Sequence, residues 1–236
     1  MGDIDPREVL REARQCVKSR DYAAALEKYI WFHNHALDAN RFLVGVRLSY
    51  AVSEWADLGE VYPPALRALE DVRNAKTSSL MNGNDDSSLF HDVKAINRAL
   101  GQVERTRDLF KIVAESNRGF AEKCFPVALE CLVLTKEFNL ARSFMPDVRS
   151  EVDRLAVPFK SPVRSTPSSS REMKQEIFVK IYVKSIGLLL GVLIGVGDEV
   201  EAKRVRQYAI DCITDEELRD MVTEHLAPSP PPSTIQ

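Results

Sequence analysis

None of the short motifs that carry chemistry by themselves occurs in this sequence. It has no G-x-x-x-x-G-K-[ST] phosphate loop, no dinucleotide fingerprint, no C-x-x-C and no H-E-x-x-H. Charge of one sign is not in excess either: 32 Lys and Arg against 35 Asp and Glu leave a net charge of −3. Nothing in that balance suggests a nucleic-acid partner, and the interspersed signs are those of solvated helix faces. Strand signals are nearly missing, since the β-rich stretch Phe178 to Val183 continues a helical pattern on both sides. The start, Met1 to Glu8, has neither a basic nor an apolar segment, so a secretion signal is not expected. Pro6 stands where an N-myristoylation site needs Ser or Thr.

Cysteine is sparse and scattered. Cys124 and Cys131 share a face if helical but lie about 10 Å apart along the axis, too far for a disulfide or for one metal ion. With Cys16 and Cys212 they are expected to be free thiols in apolar surroundings, which implies a reducing compartment, the cytoplasm.

What the chain does have is a recurring phrase: an aromatic or apolar residue, a small one three later, and a large one four after that. It occurs as Tyr22–Ala25–Tyr29, Tyr62–Ala65–Leu69 and Phe138–Ala141–Met145, with a weaker copy at Val103–Thr106–Phe110. The starts are 40, 41 and 35 residues apart, the period of a repeated helix pair. A fifth copy, Glu199-Val-Glu-Ala202, is barely recognisable.

The stretch Ser19-Arg-Asp-Tyr22-Ala-Ala-Ala25-Leu-Glu-Lys-Tyr29 resembles the second helix of a tetratricopeptide repeat, and Val9, Ala13 and Cys16 resemble its first-helix positions. Glu12 departs from the family pattern, where leucine is usual. The resemblance covers roughly residues 5–155 and implies degenerate repeats. It also implies an all-α fold, a right-handed solenoid of about ten helices in antiparallel pairs, and a groove that binds a peptide or partner protein. The phrases Trp31-Phe32-His33-Asn34-His35-Ala36-Leu37 and Phe90-His91-Asp92-Val93 are similar to those of uncharacterised bacterial proteins, a likeness that implies no function.

Composition divides the chain into repeats over 1–155, a Pro/Ser-rich linker over 156–171, helices closing the solenoid over 172–226 and a disordered Pro-rich tail over 227–236. Within the repeats, Lys76 to Ser88 is expected to be a loop, Leu43 to Leu58 one helix and Asn139 to Arg154 another.

In the repeat register, Arg7 and Arg14 of the first unit, Arg47, Tyr50, Glu54 and Asp57 of the second, and His91 and Arg98 of the third face the concave surface. That mixed array suits a peptide carboxylate or a charged helix, against the plain alternative of a solvated face. His33 and His35 diverge by about 200° on a helix and do not chelate one ion. His91-Asp92 could pair a base with an orienter, but adjacent side chains point apart and no nucleophile is placed by sequence. Trp31 and Trp55 are expected as core anchors or groove contacts. No cofactor or metal is expected.

The doubled G-x-x-x-G of Gly187, Gly191 and Gly195 forms a flat strip that a neighbouring helix can approach closely. Only thirteen residues separate Lys184 from Asp198, so burial in the solenoid is expected ahead of a homodimer face or a membrane anchor over 177–197. An interaction scaffold is thus the leading expectation, followed by a membrane-associated protein and then an enzyme without a recognisable motif.

Overall fold

The computed structural model describes residues 4–160 and 168–227, and every regular element among them is helical. The chain divides into two compact units, Met1–Cys131 and Leu132–Gln236. All but Ala227 of the expected tail (227–236) and the centre of the expected linker, 161–167, lie outside the described residues.

In the first unit, α1 (Pro6–Lys18) begins at Asp5, whose carboxylate accepts from the Arg7 N–H at 2.9 Å, with Pro6 preset for the first turn. Then follow α2 (Tyr22–Ala39), a 3-10 turn (Arg41–Leu43), the short α3 (Val44–Val46), a π turn (Arg47–Ala51) and α4 (Val52–Val61). The unit continues with α5 (Pro63–Met81), α6 (Ser87–Ala99), α7 (Val103–Ser116) and most of α8 (Arg118–Leu134). Packing runs between near neighbours in sequence: α1 on α2, α2 on α4, α4 on α5 and α6, and α5 and α6 on α7.

The recurring phrase places buried residues at these crossings. Ala25 and Ala65 are fully buried, as are the large residues Tyr29 and Leu69 that follow them. The Trp55 indole N–H donates to the Ala65 carbonyl at 2.9 Å, and a Cβ on Gly59 would stand 3.0 Å from Leu66 Cβ and 3.1 Å from its Cα. Backbones come this close only where side chains are minimal. Thr106 and Phe110 repeat the arrangement on α7, and Ala141 and Ala202 are the buried small residues of the two later copies.

Four of these phrases are entered by the same turn. A residue in the left-handed region stands two positions before Tyr22, Val103, Phe138 and Glu199: Arg20 (φ 63°), Gly101 (66°), Lys136 (60°) and Gly197 (83°). In each case the residue after it donates back to the carbonyl five earlier, as Asp21 N–H does to Cys16 and Asp198 N–H does to Leu193. This is the Schellman closure of one helix immediately before the next.

The second unit holds α9 (Phe138–Ser143), α10 (Val148–Lys160), α11 (Ser168–Gly195), α12 (Glu199–Asp211) and α13 (Glu216–Leu226). Helix α11 is its axis, packing on the other four. Tyr182, Ile186, Leu189 and Leu193 are buried along it, and the Tyr182 hydroxyl donates to the Ala209 carbonyl at 2.8 Å.

Several expected boundaries move. Helix α5 absorbs Lys76 to Met81, because Leu80 is buried and pins the extra turns before Gly83 (φ 90°) closes the helix. The expected helix Asn139 to Arg154 breaks after Ser143. Pro146 disfavours a helical residue before it, and Asp147 starts α10 by accepting from the Ser150 N–H at 3.0 Å. Val157 to Lys160 and Ser168 to Arg171, expected in the linker, are helical. Phe159 packs edge-on against Tyr182 with ring centres 5.1 Å apart, which holds α10 together through Pro158.

The glycine strip, expected to be buried, is not: Gly187 and Gly195 are exposed and Gly191 is half-buried. A Cβ on Gly195 would collide with the Phe138 ring and one on Gly191 would lie an ordinary 3.5 Å from Val133, but one on Gly187 would meet nothing within 4 Å. Gln175–Gly195 is the one stretch among the described residues long and apolar enough to cross a membrane, with mean hydropathy 2.1. Along it Ile177, Ile181 and Ile194 are exposed.

Candidate functional site

The sequence placed Arg47 on an open surface, and the structure buries it. An α-helical register from Arg47 to Asp57 puts Arg47, Tyr50, Glu54 and Asp57 on one face. The π turn Arg47–Ala51 widens that register by one residue, about 100° of rotation, and carries Arg47 inward.

Inside, Arg47 meets Asp92 of α6. The guanidinium Nη2 donates to Asp92 Oδ1 at 2.5 Å and Nη1 to Oδ2 at 3.3 Å, a two-pronged grip on a carboxylate only 3% exposed. Lys76 of α5 brings its ammonium 2.8 Å from the same Oδ2. Arg47 Nη1 also donates to the His33 carbonyl of α2 at 3.2 Å and lies 3.3 Å from His33 Nε2. An arginine offers only donors, so that ring nitrogen accepts and the imidazole proton sits on Nδ1, which has no protein partner. Burial, reinforced by the Arg47 charge, pushes the His33 pKa down to about 4, so the ring is neutral at pH 7. One carboxylate therefore ties together two cations, a neutral imidazole and four helical elements.

The cluster fixes a surface. Above Arg47 runs the irregular stretch Arg41–Ala51, held at one end by Asn40 Oδ1, which accepts from the Phe42 N–H at 3.0 Å. Arg98 donates to the Leu48 carbonyl at 3.2 Å, and the Ser49 hydroxyl to the Gly45 carbonyl at 2.6 Å. On this tethered stretch Phe42 is 93% exposed, Tyr50 68% and Val44 45%. Large apolar side chains standing in water on a fixed backbone are the kind that anchor protein interfaces.

Of the other residues singled out by sequence, Arg14 and Glu54 come together. Arg14 Nε lies 3.0 Å from both Glu54 oxygens, the Tyr29 hydroxyl donates to Oε2 at 3.4 Å, and the bond to Glu54 raises the Arg14 pKa. Arg7 and Asp57 are exposed. His91 is half-buried, which lowers its pKa, while the neighbouring Asp92 carboxylate is turned to Arg47 and Lys76. Trp55 is a core anchor and Trp31 is half-buried beside His35, ring centres 5.3 Å apart. Cys124 and Cys131 are buried free thiols, raised in pKa chiefly by burial, and Cys16 and Cys212 are half-buried.

Asp92, His33 and Lys76 were not among the sequence candidates for binding. The signal was present: Leu89, Asp92, Val93 and Ile96 fall on one helical face, as do Tyr29, Phe32, His33 and Ala36. A charge on an apolar stripe implies a buried partner.

Among the described residues no three His, Cys, Asp or Glu side chains are grouped to hold a metal ion. In the first unit an open cleft of about 190 Å³ is lined from α5, α6 and α7, and another of about 460 Å³ lies between Ile4–Arg7 and Asp38–Asn40. In the second unit a cleft of about 330 Å³ is lined by Arg142, Arg149, Arg204, Asp198 and Glu201 among others. Comparison with protein-family models, curated proteins and solved structures finds no match for this chain.

Proposed function

We propose that this chain is a protein-interaction scaffold built from tetratricopeptide-like helix pairs, wound as a right-handed solenoid. Its first unit docks a partner protein or peptide through Phe42, Tyr50 and Val44. The repeat reading is supported by the shared Schellman turns and by the buried small residue in every copy of the phrase. The observation that carries the docking reading is the pairing of exposed aromatics with a buried anchor. Phe42 and Tyr50 gain nothing in the free chain from where they stand, whereas Arg47 and Asp92 hold their backbone in place. A surface ordered before binding loses less entropy on association.

The direct test is capture of partners by the intact chain and by a Phe42→Ser/Tyr50→Ser variant with an unchanged far-UV circular dichroism spectrum. The wild type is expected to retain specific proteins that the variant releases. Equal retention by both would remove the docking surface from these residues.

A second reading is favoured by one observation, the exposed Ile177, Ile181 and Ile194 on a helix of spanning length. It is attachment to a membrane, or pairing of two copies, through α11. Fractionation of the expressed chain without detergent separates attachment from the scaffold reading, and sedimentation of the soluble chain tests pairing.

A further inference from the structure

The open cleft between α5, α6 and α7 contains a buried cation that is paired only loosely with one carboxylate. Arg73 is only 3% exposed. Its short hydrogen bonds go to neutral amide oxygens, Nη1 to Gln102 Oε1 at 2.5 Å and Nε to Asn74 Oδ1 at 3.0 Å. Its nearest carboxylate, Glu70, stands 3.7 Å from Nη2, beyond hydrogen-bond reach. A guanidinium taken out of water normally has a carboxylate or phosphate against it.

A second arginine lines the same cleft. Among the described residues Arg105 has no side-chain hydrogen bond and no ion pair, and its charge adds to burial in lowering the Arg73 pKa. Two guanidiniums sharing one loosely placed carboxylate still favour a further anion between them.

Asn97 supplies an independent sign. Its side chain is 1% exposed, lines the cleft, and makes one hydrogen bond, from Nδ2 to Thr106 Oγ1 at 3.0 Å, leaving Oδ1 unpaired. Turning the amide over exchanges the two atoms, so one polar atom of this buried group lacks a protein partner either way.

The remaining lining sets the ligand class. Met81, Leu109 and Ile112 give the cleft an apolar part. Asp108 also lines it, paired to Arg107 at 2.8 Å, and with Glu70 nearby the site is poorly suited to a dianionic phosphate. We propose that this cleft binds a monoanionic organic carboxylate carrying a short aliphatic group, clasped by Arg73 and Arg105. The C-terminus of a peptide ending in an aliphatic residue and a free aliphatic acid share that chemistry. The inference rests on none of the residues assigned to docking.

The test is titration of the intact chain, followed by calorimetry at low ionic strength, with N-acetyl-leucine, its uncharged amide, and an acetylated Gly-Gly-Leu tripeptide. Saturable binding of at least one acid, with the amide silent, is the expected result. Tighter binding of the tripeptide assigns the carboxylate to a peptide end, and tighter binding of N-acetyl-leucine to a free acid. Arg105→Ala removes an exposed, unpaired side chain and leaves the fold intact; affinity should drop about tenfold or more, the loss of one charge-assisted contact. Asn97→Asp places a carboxylate at the cleft wall and should abolish the response. Absence of binding by both acids, equal binding of the amide, or unchanged affinity in Arg105→Ala would overturn the proposal.

Discussion

Arg47 grips Asp92 with both ends of its guanidinium, at 2.5 and 3.3 Å, across 45 residues of sequence and between two helical elements that bury both side chains. A buried pair of this kind contributes little net stability relative to apolar residues of the same size, but breaking it leaves an uncompensated charge. Lys76 makes the imbalance worse, since two cations depend on one carboxylate. Replacing Asp92 by Ala should therefore lower unfolding stability by about 3–5 kcal/mol in urea titrations. The double variant Arg47→Met/Asp92→Leu should recover part of that loss. A double variant less stable than Asp92→Ala alone would mean that the pair does more than neutralise itself.

Stability should also fall with mild acid through His33. Its pKa is about 4 in the folded chain against 6.5 unfolded, so below pH 6.5 the unfolded chain binds the extra proton. The contribution is complete above pH 6.5 and is lost as pH falls toward 4. Between pH 7 and pH 5 the loss is about 2 kcal/mol. Arg47 and Lys76 oppose protonation of the ring and Asp92 favours it, but burial leads. Comparing wild type with His33→Gln at both pH values isolates this group: the wild type should lose about 2 kcal/mol more than the variant.

Ala65 tests the repeat lock. It is fully buried at the crossing of α4 and α5, where its carbonyl takes the Trp55 hydrogen bond and Gly59 allows the close approach. Ala65→Leu should overpack the crossing and cost about 1–3 kcal/mol. A thermal melt matching the wild type would show that the crossing has slack that the geometry does not suggest.

The helical class was legible because its evidence is local. The spacing of Tyr22, Ala25 and Tyr29 and the caps at Asp5 and Asp21 act within a turn or two of their own positions. Helix ends were less legible where a distant contact decides them, as Leu80 does for α5 and Tyr182, through Phe159, for α10. The site was legible only in part, for a different reason. Arg47, Tyr50, Glu54 and Asp57 share a face in an ideal helix, and no local signal in Arg47-Leu-Ser-Tyr-Ala51 announces the π turn that separates Arg47 from the rest. Arg47 becomes a buried anchor because Asp92, 45 residues away, is there to receive it.

The three glycines of α11 are equivalent in sequence and unequal in the fold. Gly195 lies against the Phe138 ring, with which an added methyl group would collide, while the same methyl at Gly187 meets no atom within 4 Å. Gly195→Ala must displace Phe138, the first residue of α9, and should cost about 1–3 kcal/mol. Gly187→Ala disturbs no packing and removes the entropic handicap of glycine within a helix, so it should stabilise the chain by up to about 1 kcal/mol. The two variants thus move the thermal midpoint in opposite directions. If Gly187→Ala were instead destabilising, its face would be covered in solution. Sedimentation of wild type and variant would then decide whether a second copy covers it: a wild-type dimer that Gly187→Ala weakens would place that copy on α11.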